Sequence, residues 1–117
     1  MAPPRPSRRL ALLGVLALAF TACLAPTLPI PPPSEPDVSG PDANGMVTLS
    51  GKAGSAQAQA EITACNEAAG CTDGVWTTAG ADGSWQLAPM PGKSKDVFLV
   101  WQTVGKNVSN AIEVTVP

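Results

Sequence analysis

Gly, Pro, Asn and Asp punctuate residues 45–117 so closely that no run between them keeps a helical period over a useful length. What lies between the breaks is a set of short alternating runs, and strands are predicted at 46–50, 58–65, 75–79, 84–88, 96–104 and 111–116. The last alternates cleanly: Ile112, Val114 and Val116 face one way, Ala111, Glu113 and Thr115 the other. Residues 97–101 are apolar on both faces, which predicts a central strand covered on two sides. Asp82-Gly83, between two strand candidates, is the pattern of a tight hairpin. Alanine is dense over 53–69 and invites a helix, but Gly51, Gly54 and Gly70 bracket the stretch and Glu61-Ile62-Thr63 alternates, so a strand is preferred. The expectation is an all-β fold, a small antiparallel sandwich.

The chain ahead of this block has a different character. Arg5, Arg8 and Arg9 precede an apolar run over 10–20, which ends in Thr21-Ala22-Cys23. Basic region, short apolar core and small residues at the end are the parts of a secretory signal peptide, predicted over 1–22. Eleven helical residues rise only about 16 Å, too little to cross a hydrocarbon core of about 30 Å. Residues 24–41 then hold seven prolines. Each fixes its own φ and biases its neighbour toward extended backbone, so residues 23–44 read as a disordered Pro-rich tether without a core, its 18 residues over 24–41 reaching about 55 Å. Residues 45–117 remain as the folding domain.

Two resemblances add to this reading. Phe20-Thr21-Ala22-Cys23 resembles the bacterial lipobox, an apolar residue, a small residue, Gly or Ala, then Cys. The resemblance implies diacylglycerol on Cys23, cleavage before it, and attachment to a bacterial membrane. Leu24 stands where an aspartate would signal retention at the inner membrane, so the outer membrane is favoured. The stretch from Ser7-Arg8-Arg9 partly resembles a twin-arginine export signal, but Ala11 departs from it and ordinary secretion is expected. In the domain, Leu49-Ser50-Gly51, the segment from Thr78 through Asp82-Gly83-Ser84-Trp85, and Gly105-Lys106-Asn107-Val108-Ser109 look like a bacterial immunoglobulin-like domain. That implies an immunoglobulin-like β-sandwich in which the aromatic after the hairpin enters the core. The insertion over 65–73 departs from the family, and the carboxypeptidase regulatory-like domain, with a similar hairpin, is the alternative fold.

Charge and composition exclude several functions. All three arginines lie in the leader, leaving four lysines against nine carboxylates, a formal charge of −5. Such a chain lacks the groups that neutralise phosphates, which sets nucleic acid aside, and it has no basic patch to hold anionic lipid. With no histidine, the commonest general base and transition-metal ligand are missing, and the carboxylates are scattered. Asp42-Ala43-Asn44-Gly45 and Asp82-Gly83 are fragments of oxygen-ligand loops, far short of the six to eight oxygens calcium takes, and turn formation accounts for both. Neither a catalytic residue, a metal site nor a cofactor is indicated, and the chain is not expected to be an enzyme.

Cys65 and Cys71 enclose five residues and, in an oxidising compartment, are expected to form a structural disulfide. The spacing is not Cys-x-x-Cys and no basic neighbour would activate a thiol. Burial is expected for all three tryptophans, but Trp76 borders the disulfide loop and is the one aromatic placed to meet a ligand. The expected function is a noncatalytic, membrane-anchored lipoprotein presenting one immunoglobulin-like module for envelope organisation or adhesion. The alternative is a module that binds an envelope protein or glycan through Trp76 and the Cys65 to Cys71 loop.

Overall fold

Nine strands and one 3-10 turn make up the described residues, 30–72 and 74–117, of the computed structural model. In chain order they are β1 (Asp37–Ser39), β2 (Met46–Gly51), β3 (Glu61–Asn66), the 3-10 turn (Glu67–Ala69), β4 (Val75–Thr78), β5 (Trp85–Gln86), β6 (Met90–Pro91), β7 (Val97–Val104), β8 (Asn107–Val108) and β9 (Ile112–Thr115). Every pairing is antiparallel. In the first sheet β2 has β1 on one side, with β5 and β6 following each other on the other side. The second sheet runs β4-β3-β7, and β8 and β9 share the far side of β7. The fold is a small all-β, antiparallel sandwich, as the punctuated alternation predicts. The alanine-rich stretch gives β3, with helical geometry confined to Glu67–Ala69.

Alternation decides which side chains fill the space between the sheets. Val47 and Leu49 come from β2, Ile62 and Ala64 from β3, Phe98 and Val100 from β7 and Val114 from β9, all buried. Trp85 joins them from β5, its indole N–H donating to Ser55 Oγ at 3.1 Å.

Asp82-Gly83 is a turn, but not the hairpin expected. β4 pairs with β3 while β5 pairs with β2, so the turn carries the chain from one sheet to the other. Gly83 N donates to Gly80 O at 3.0 Å and Gly80 N to Ser84 O at 2.8 Å, while Asp82 Oδ1 accepts from Ser84 N at 3.0 Å and Ser84 Oγ at 2.7 Å, so the turn closes on itself, and Trp85 beyond it pairs with Gly51 of β2. Gly83 has φ +84°, and a Cβ there would collide with the Ala56 carbonyl. The two-residue hairpin lies instead at Gly105-Lys106, where Thr103 faces Val108 and Val104 faces Asn107, with Gly105 at φ +61°.

The larger departure concerns the tether. Residues 23–29 lie outside the described residues, but residues 30–44 do not behave as a spacer. β1 pairs with β2 through Asp37, Val38 and Ser39, and Val38 packs on the core. Pro33 and Pro36 are buried. Prolines cannot donate to a ladder, but their rings fill apolar space and their carbonyls accept, so a proline-rich strip is suited to a sheet edge. Ser34 N donates to Ser55 O at 2.8 Å, and Gln102 Nε2 donates to Pro31 O at 2.6 Å. Gln102 is 2% exposed and sits on the inward phase of β7, two residues past Val100. Its Oε1 accepts from Gln57 N at 3.0 Å, so one buried amide ties the first proline residues and the loop after β2 to the central strand. Among the described residues no buried side-chain polar atom lacks a partner.

Candidate functional site

The register of the second sheet sorts its side chains without ambiguity. Opposite Ile62 lie Thr77 and Gln102, and opposite Ala64 lie Val75 and Val100, all on the inward phase. The outward phase therefore carries Thr63 with Trp76 on one side and Trp101 on the other. One residue pair toward the tether end, Glu61 lies between Thr78 and Thr103. In the other direction Cys65 lies beside Leu99, which faces Glu113.

This placement corrects two expectations. β7 is central within its sheet, but only one of its faces is covered. Phe98 and Val100 belong to the core, whereas Val97, Leu99 and Trp101 are half-buried and take no part in it. Trp76, expected to be buried, is 65% exposed, and Trp101 is half-buried rather than enclosed. Trp85 alone fulfils the expectation, at 5% exposed. Val108, also on the outward phase, is 58% exposed. The sheet thus shows solvent two indoles, one exposed and one half-buried, with Thr63 between them. Trp101's part in it was hidden by the run of apolar residues that precedes it in sequence.

Cys65 and Cys71 form the expected disulfide, with their Cα atoms 4.8 Å apart. Closing a loop of this size removes about 2 kcal/mol of chain entropy from the unfolded state. Cys65 is buried at the end of β3; Asn66 Oδ1 then accepts from Ala68 N at 2.9 Å and Asn66 O from Cys71 N at 3.0 Å, folding the loop back on itself. Trp76 and Cys65 occupy neighbouring rows of the same outward face, so the structure does bring the loop and the exposed tryptophan to one surface.

A second candidate is an open cleft of about 300 Å³ beside the loop, lined among others by Asn66, Met90, Pro91, Lys93 and Asp96. Asp96 Oδ2 accepts from Asn66 Nδ2 at 3.0 Å and from Lys93 N at 2.9 Å. These bonds, the Asn66 side chain first, hold the Asp96 carboxyl below the ordinary carboxylate value. The carboxylate is thereby engaged in fixing the turn from Lys93 to Asp96 against the disulfide loop. Among the described residues no group of three His, Cys, Asp or Glu side chains converges as metal ligands would. No helix among them is long and apolar enough to cross a membrane. The leader and Cys23 lie outside the described residues.

In comparisons with known proteins, no family model, no curated protein and no solved structure matches the chain.

Proposed function

We propose that the chain is an exported, noncatalytic lipoprotein, anchored through Cys23 to a bacterial membrane, that presents one immunoglobulin-like module as a binding surface to the cell envelope. The observation that carries the binding role is the uncovered outward face of the second sheet. Burying the Trp76 indole, 65% exposed in mid-sheet, would be favourable at about 25 cal/mol per Å², and a face that served only as a wall has no need of an aromatic held in water there. The anchor rests on the basic and apolar leader, on the lipobox resemblance at residues 20–23, and on the absence of any arginine after residue 9 that could hold the chain to anionic lipid. The outer membrane is favoured by Leu24 after the lipobox cysteine. Cys23→Ser tests the anchor: the variant is expected in the soluble fraction after a salt wash. A variant still cut at the same position and still held by membranes would refute lipidation.

A further inference from the structure

The outward face of the second sheet has a chemistry that narrows what it can bind. Trp76, Thr63 and Trp101 stand in one cross-strand row on β4, β3 and β7. The two indoles therefore spring from backbones two strand spacings apart, about 9.5 Å. This is close to the repeat of a chain of equatorially 1,4-linked pyranose rings, in which every second sugar presents the same face. The axial C–H groups of such rings pack on an indole, and their hydroxyls need donors and acceptors alongside. The adjoining row supplies both, with Glu61 between Thr78 and Thr103. None of the strands of this sheet contains a lysine or arginine, and Glu61 and Glu113 make the face acidic, so an anionic polymer would be repelled. A protein partner of standard size would cover about 800 Å² with a charge-depleted centre, whereas here polar groups lie between and beside the aromatics.

We propose that the row Trp76, Thr63 and Trp101 is a platform for an uncharged polysaccharide of equatorially linked pyranose rings, with alternate sugars over the two indoles and the neighbouring threonines and Glu61 meeting ring hydroxyls. This rests on the reading of the same face as the binding surface. The smallest ligand that touches both indoles has three rings. Affinity for cello- and chito-oligosaccharides is therefore expected to rise about tenfold between two and three rings, the worth of one added stacking contact. Titrations followed by indole fluorescence would use the full mature chain in a zwitterionic detergent, since sugar-headed detergents would compete. Trp76→Ala is expected to erase the step and Trp76→Phe to keep most of it, and a thermal melt equal to wild type shows that the fold is retained. Absence of saturable binding by the longest oligomers of both series, or a step that survives Trp76→Ala, would overturn the proposal. Crosslinking in whole envelopes separates this from the broader reading. A protein adduct lost in Trp76→Ala, with no sugar binding, overturns the polysaccharide and keeps the binding surface; insensitivity of both assays to Trp76→Ala overturns both.

Discussion

Gln102→Leu is the substitution that best probes how this domain is assembled. Leucine is close to glutamine in size, so the change removes polar contacts without opening a large cavity. It deletes the bond from Gln57 N to Gln102 Oε1 and the bond from Gln102 Nε2 to Pro31 O. Pro31 and Gln57 are themselves exposed, so water can recover part of what their backbone groups lose, and each bond is then worth about 1 kcal/mol rather than the full penalty of a buried orphan. The expected destabilisation is about 2 kcal/mol, which for a domain of this size lowers Tm by roughly 8 to 16 °C. The loss is regional as well as global. Ser34 N–H, bonded to Ser55 O, follows Pro31 by three residues and should exchange faster through local opening, whereas amides of β3 paired to β7 should quicken only by the shared loss of global stability. Differential scanning calorimetry and hydrogen exchange on the purified chain read the two effects. A Tm within about 2 °C of wild type, or unchanged exchange at Ser34, would refute the claim that this amide fastens the proline-rich segment to the sandwich.

Two further outcomes follow from turns. Gly83→Val places a β-branched side chain at φ +84° and against the Ala56 carbonyl, and is expected to cost about 3 kcal/mol or more in denaturant melts; a change below about 0.5 kcal/mol would refute the turn geometry. Asp82 and Asp96 both have carboxyls held below the ordinary value of 3.8, Asp82 chiefly by the Ser84 hydroxyl and Asp96 chiefly by the Asn66 amide. A depressed folded-state pKa gives stability that is present above the unfolded value and is lost as pH falls through the folded one, so stability should be flat near neutrality and decline below about pH 4. Asp96→Asn should flatten that acid limb in pH-dependent melts, and an unaltered limb would refute its part in it.

The strand pattern was readable where one face is core and the other is water. Residues 111–116 are the clearest case: Val114 and Val116 are buried, Ile112 packs on the core, and Glu113 and Thr115 are exposed, in the phase that alternation predicts. The inter-sheet path at Asp82-Gly83 was not readable, because a turn sequence specifies its own backbone angles and not which sheet the next strand joins. The docked segment was hidden by composition. Seven prolines look like a spacer, and one signal against that was Val38, a lone apolar residue between Asp37 and Ser39. A second hint was Gln102, a polar residue on the same phase as Phe98 and Val100, since a buried amide demands partners that the strand itself does not supply. Of the outward face, Trp76 was legible as a candidate contact, whereas Trp101 was taken into the core by a run whose outer face has no covering layer.

On the proposed lipid anchor at Cys23, the docking of Pro31 to Gln102 would also set how far the sandwich can travel. Seven residues, 24–30, would then separate anchor and fold, a length whose upper reach is about 22 Å against roughly 55 Å for the 18 residues 24–41. The volume open to the domain shrinks as the cube of that ratio, about fifteenfold, and its local concentration against any neighbour fixed at the membrane rises by the same factor. The attachment also has a polarity. Gln102 faces Ile62 near the start of β3, while the disulfide loop and the Asp96 cleft follow from the other end of that strand. Tethered in this way, the sandwich would hold its disulfide pole away from the lipid and turn the tryptophan row sideways, along the membrane, toward polymers that lie parallel to it.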